Sequence, residues 1–206
     1  MATALLWLME TGSVTEAAMA PYVAWLGAEE LARYQGFRRA ERQRQFLAGR
    51  ILLRRALSAL LDLPAKDIAL RAQAGKAAQL VHPAMPHAGV SISHSGPWIA
   101  CAASVDAKLG VDIEVRDSAR DVLALAEHTF DEGELAQMRG AGAAARTDMF
   151  YALWCAKEAQ IKLGVSVAAR VDIQLPGLMA CLCSDQTLSP SPQATLQSTD
   201  FVFSHL

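Results

Sequence analysis

No apolar run in this 206-residue chain reaches the roughly 18–20 residues that span a bilayer. The opening MATALLWLMETGSV lacks the basic n-region of a secretory signal. Together these absences lead us to expect a cytoplasmic protein with no membrane partner. Cysteine is scarce: Cys101, Cys155, Cys181 and Cys183 are unevenly placed, with no CxxC pair for zinc, and read as free thiols. An excess of either charge is missing too. Nineteen Lys and Arg stand against 21 Asp and Glu, a formal net charge of −2, so nothing draws nucleic acid globally and any anion site must be local. No G-x-S-x-G elbow presents a serine nucleophile. Apolar residues, in contrast, make up 52% of the chain and charged ones 19%, which excludes a disordered protein.

The stretch ALLWLM fits a first buried strand. From Phe37 to Leu63, apolar residues recur at helical spacing opposite an arginine-loaded face, and Gly49 marks an expected bend or break. VSISHS (Val90 to Ser95) and WIACAASV (Trp98 to Val105) read as strands around a Gly96-Pro97 turn. LGVDIEVR alternates strictly, with Leu109, Val111, Ile113 and Val115 on one face and Asp112 and Glu114 on the other. A helical region is expected from Asp121 to about Gly140, then a flexible GAGAAA, then a long helix from about Thr147 to Leu163. Short strands near 171–175 and 178–183 and a short last strand complete the reading. The helix-then-strand order occurs twice, which suggests two halves, 1–105 and 106–206.

Four constellations carry chemistry. Asp112 and Glu114, at i and i+2 of a strand, share a face with Cα atoms roughly 6–7 Å apart, within reach of one hard cation. In FYALWCAKEAQIKLG, Trp154, Lys157, Glu158, Ile161 and Lys162 fall on one broad helix face. Charges on a helix otherwise fit for burial call for partners, which a phosphate ligand with its metal would supply. Ser93-His94-Ser95-Gly96 at a strand end offers several phosphate donors. Arg38, Arg39, Arg42, Arg44 and Arg50 offer guanidinium forks, and Lys76 after Gly75 is a further cation. Each motif also has a plain reading as a wet strand face, a helix ion pair, a serine-rich turn or a solvated helix.

Their order along the chain is the distinguishing feature. Gly75-Lys76, SISHSG (Ser91 to Gly96), LGVDIE (Leu109 to Glu114) and the W-x-x-K-E of Trp154 to Glu158 with Lys162 resemble the Sfp-type 4′-phosphopantetheinyl transferases over about residues 33–165. The resemblance implies an α+β fold of two similar α/β halves related by a pseudo-twofold, with a ligand cleft between them. It implies transfer of 4′-phosphopantetheine from coenzyme A to a serine of an apo acyl or peptidyl carrier protein by a monomer. Asp112, Glu114 and Glu158 would hold magnesium, or manganese in its place. Glu158 or a water would take the serine proton, with Asp112 and Lys157 also catalytic. Coenzyme A would be held by Arg39, Arg42, Gly75, Lys76, Ser93, His94, Lys157 and Lys162, and Arg116 or Arg120 would steer the acidic carrier. Ala77 stands where the family has proline, and TFDEGEL (Thr129 to Leu135) matches its F-S-x-x-E element in part. A silent coenzyme A binder, a magnesium-dependent phosphohydrolase and a nucleic-acid-binding helix over Arg38–Arg55 are the alternatives.

Overall fold

Leu5 to Met9 form a strand without alternation because both of its faces are covered, which is why it reads as a continuous apolar run. The computed structural model describes residues 1–72 and 78–203. It begins with this strand, β1 (Leu5–Glu10), whose Trp7 and Met9 point into one core and Leu6 and Leu8 into another. After short helices α1 (Glu16–Met19) and α2 (Ala28–Gly36) comes the 22-residue helix α3 (Ala40–Leu61). Contrary to the expected break, α3 runs unbroken through Gly49. A side chain there would sit 3.1 Å from Ile92 Cγ2, so the residue is small because α3 lies close on the sheet.

A two-stranded ribbon, β2 (Ala69–Arg71) with β3 (Gln79–His82), precedes the hairpin β4 (Gly89–Ser95) and β5 (Trp98–Ser104). Strand β6 (Leu109–Val115) opens the second half. The expected helical region 121–140 is two helices, α4 (Val122–Ala126) and α5 (Glu132–Gly140), because Asp131 and Glu134 form a capping box that starts a new helix. Helix α6 (Ala143–Leu163) begins within the stretch expected to be flexible, its alanines being good helix formers. Strands β7 (Ala169–Leu175) and β8 (Leu178–Ser184) follow. The chain then returns to the first sheet through β9 (Ala194–Leu196), the expected short last strand, which is followed by a short helix, α7 (Thr199–Val202).

The strands form one sheet in the order β4-β5-β1-β9 and another in the order β6-β8-β7. The sheets pack on each other through Leu6, Leu8, Ala100 and Ala102 from one side and Leu109, Val111, Ile113, Ala180 and Leu182 from the other. Helix α3 covers the outer face of the first sheet, and α6 with α4 and α5 covers that of the second. Each half is thus one long helix across a mostly antiparallel sheet, an α+β architecture. All four cysteines are free and buried. Among the described residues no helix is long and apolar enough to cross a membrane.

Candidate functional site between the two halves

Close backbone approach sets the geometry. Gly110 of β6 lies directly beneath α6: a Cβ there would fall 2.0 Å from the Ala159 carbonyl oxygen and 2.5 Å from the Leu163 nitrogen. At the other junction a Cβ on Gly89 would meet the Ala107 oxygen at 2.1 Å. With only hydrogens at these points, β4 lies beside β6 and the last turns of α6 reach both.

Because strand side chains alternate, Ser91, Ser93 and Ser95 of β4 face β6, whereas Ile92 and His94 face the α3 side. The three hydroxyls bind β6 in a ladder. Val111 N–H donates to Ser91 Oγ at 3.0 Å, Ser93 Oγ donates to Asp112 Oδ1 at 2.7 Å, and Ser95 Oγ donates to Glu114 Oε2 at 2.7 Å while accepting from Val115 N–H at 3.1 Å. Lys162 joins from α6, donating to Asp112 Oδ1 at 2.7 Å and to Ser93 Oγ at 2.8 Å. Asp112 is buried, and its other oxygen, Oδ2, has no hydrogen-bond partner. Glu114 is half-buried; loss of solvent raises its carboxyl pKa, Ser95 opposes the shift, and Asp112 adds to it.

On the other face of β4 lies a cavity of about 380 Å³ between the halves. Its cationic lining comprises Arg33, Arg42, Arg50 and Lys162 beside His94, and among its described lining residues there is no acid. Arg42 Nη1 lies 2.7 Å from His94 Nε2. Burial lowers the His94 pKa, and the charges of Arg42 and then Lys162 lower it further. Phe37 and Phe46 form apolar walls, with the Arg42 guanidinium 5.8 Å from the Phe37 ring centre and that of Arg50 4.9 Å from Phe46. Fully buried Glu30 pairs with Arg50 at 3.4 Å and with equally buried Arg54 at 2.5 Å, so two guanidinium charges share one carboxylate. Burial lowers the Arg50 pKa to about 10, and its Nη1 is without a partner.

Several expected residues are placed differently. Ser93 is not among the residues that line the cavity with His94; its hydroxyl is held by Asp112 and Lys162. Arg39 is exposed ahead of α3 and outside the cavity lining, whereas Arg42 is part of it. Lys157 is turned away, its ammonium 3.0 Å from Glu134 on α5 and 5.5 Å from the Phe130 ring centre. Glu158 is half-buried with no hydrogen-bond or ion-pair partner among the described residues. Arg116 is committed to Asp148 at 2.9 Å, which leaves Arg120 the exposed member of that pair. Gly75 and Lys76 lie outside the described residues. Sequence reasoning missed Glu30, Arg33, Phe37, Gln45 and Phe46. The i,i+4 arginines Arg50 and Arg54 on the apolar face of α3 were the available signal for a buried carboxylate.

The expected trio Asp112, Glu114 and Glu158 is not gathered as such: among the described residues no three His, Cys, Asp or Glu side chains stand together as a metal-holding group. Lys162 takes part of the space, supplying Asp112 Oδ1 with a positive charge of its own. The donor chemistry still fits a hard cation, because Oδ2 of Asp112 is a buried, orphaned carboxylate oxygen two residues from Glu114. Magnesium commonly takes one or two carboxylates and fills its shell with phosphate and water.

Comparison with known proteins gives the same reading over both halves. Residues 13–106 match the model for the N-terminal region of 4′-phosphopantetheinyl transferases, and residues 108–200 match that for the 4′-phosphopantetheinyl transferase superfamily. The chain is 30% identical over 141 residues to the 4′-phosphopantetheinyl transferase Sfp of Bacillus subtilis, covering 68% of this chain and 61% of that one. It is 35% identical over 159 residues to the 4′-phosphopantetheinyl transferase AcpT of Salmonella typhi, covering 75% and 76%. The shared stretch spans 57% to 61% of the length of the Synechocystis and Bacillus subtilis relatives. With the motifs of both halves matched, and three quarters of the Salmonella protein covered at this identity, the chain belongs to the 4′-phosphopantetheinyl transferase superfamily.

Proposed function

We propose that this chain transfers the 4′-phosphopantetheine group of coenzyme A to a serine of an apo acyl or peptidyl carrier protein, as a magnesium-dependent holo-carrier-protein synthase. One observation carries the reading: an acid-free, cation-lined cavity opens beside a buried carboxylate that has an orphaned oxygen. The cations suit a polyanion with three phosphates, and the carboxylate suits the divalent ion such a diphosphate brings.

In the reaction the serine oxygen bonds to the β-phosphorus of coenzyme A as the bond from that phosphorus to the bridging oxygen breaks. Adenosine 3′,5′-bisphosphate leaves, and the serine proton passes to Glu158 or to water. Asp112 and Glu114, with Glu158 as a third ligand, would hold magnesium, or manganese in its stead. When bound, the ion neutralises charge on the diphosphate and on the leaving group. Lys162 would stabilise the leaving phosphate from the α6 side. Arg42 and His94 would together grip the 3′-phosphate of the nucleotide, with Ser93 holding Lys162 and Asp112 in register. Lys76 would add a phosphate contact. We keep Lys157 and Arg39 as coenzyme A contacts, each needing a side-chain movement to reach it.

The division into residues 1–105 and 106–206 is supported by the two sheets as far as β8, after which β9 rejoins the first sheet, and a cleft furnished by both halves of one chain supports a monomer. Four free buried thiols support a cytoplasmic setting, and the acid–base balance of the chain supports a protein rather than nucleic-acid partner. The test is incubation with coenzyme A, magnesium and apo-carrier proteins: one serine should gain about 340 Da, the mass of the transferred group. Asp112→Ala should abolish the gain while keeping a cooperative melt. An Asp112→Ala variant that loads carrier at the wild-type rate, or a wild type that only hydrolyses coenzyme A, would overturn the assignment.

A further inference from the structure

Arg42 is a long, flexible cation, yet it is held on three sides. Its Nη1 donates to Gln45 Oε1 at 2.8 Å and lies 2.7 Å from His94 Nε2, and its guanidinium centre stands 5.8 Å from the Phe37 ring centre. Gln45 is the fixed point of this arrangement. It is 7% exposed, and its amide nitrogen donates at 2.8 Å to the carbonyl of Gly96, the turn residue two positions after His94. The amide thus faces a donor with its oxygen and an acceptor with its nitrogen, so it has one satisfied orientation. It ties the start of α3 to the end of β4, the two elements that present Arg42 and His94. Both Nη1 hydrogens of Arg42 are taken up inside the protein, leaving those of Nη2 and Nε for a bound anion.

We propose that Gln45 is a positioning residue that preorganises Arg42 against His94 as a receptor for a phosphate monoester, and so sets the preference for ligands carrying the 3′-phosphate. The assignment rests on the coenzyme A reading above. It makes Gln45 act through Arg42, which a general stabilising role would not require.

The experiment is calorimetric titration with adenosine 3′,5′-bisphosphate and with AMP, which lacks the 3′-phosphate. The wild type should prefer the bisphosphate. Gln45→Met keeps side-chain length and helix propensity but removes both hydrogen bonds. It should reduce that preference roughly tenfold, the scale of one charge-assisted contact, and leave AMP affinity unchanged. In an Arg42→Met background the same substitution should have no further effect. Retained preference in Gln45→Met, an equal loss for both nucleotides, or additive losses in the double variant would each overturn the assignment while leaving the coenzyme A reading standing. A wild type indifferent to the 3′-phosphate would remove both.

Discussion

The 2.7 Å approach of Arg42 to His94 requires an unprotonated Nε2, because an arginine has nothing to accept with. Burial, Arg42 and Lys162 all favour the neutral ring, with Asp112 the weaker opposing charge. The sign of the linkage follows. An unfolded chain takes up a proton on this imidazole near the usual value of about 6.5, before the folded protein does. Stability from this residue is therefore complete above that pH and is lost as the pH falls toward the lower folded value. Urea midpoints measured from about pH 7 to 5.5 should fall more steeply for the wild type than for His94→Gln, which keeps an acceptor but cannot titrate. Parallel curves would show that the ring is not held neutral. At this scale the sequence was readable for the shared strand face of Asp112 and Glu114, which their i,i+2 spacing gives and where both meet serines of β4. The contacts of the Ser93 hydroxyl with a carboxylate and an ammonium, and of Lys157 with Glu134 on a helix not recognised as separate, were not readable from it.

At the level of elements, the seat of α6 on β6 is the contact that places Lys162. Gly110→Ala would force a methyl group to within 2.0 Å of a backbone oxygen, and the atoms it meets are helix backbone rather than the flexible end of a side chain. The helix must lift, so the variant should lose ~3 kcal/mol or more by chemical denaturation, and loading of carrier should fall with it. An unchanged midpoint would mean the close approach is not kept in solution. The strands were legible because β4, β5 and β6 announce themselves by apolar runs or alternation between turns. Helix boundaries were less so: Gly49 carries low helix propensity, yet packing on the sheet carried α3 through it, and in GAGAAA the exposed alanines' own propensity started α6. The Asp131–Glu134 capping box was written in the sequence and passed over.

Across the whole molecule, the two sheets are stitched at their β4–β6 seam by serine side chains standing where backbone pairing would otherwise run. Ser91 is buried and supplies the acceptor for the Val111 N–H. Ser91→Ala would leave that N–H without its acceptor between the sheets and should cost ~1–3 kcal/mol in urea denaturation. A value near zero would show the seam to be held by apolar packing alone. This level was the least legible, since Arg42 meets His94 across 52 residues and Lys162 meets Ser93 across 69, separations that no local period encodes. The motif order supplied the list of participants; the fold supplied who touches whom.

The return of the chain to its starting strand closes the first sheet. β9 runs parallel beside β1 from Leu6 to Leu8, and the Val202 carbonyl just beyond it accepts from Arg55 on α3. Trimming that tail would bare a long, apolar, amide-lined rim on β1, the kind of surface that recruits strands from neighbouring molecules. A stretch remote from the chemistry thereby covers that rim from Leu6 to Leu8.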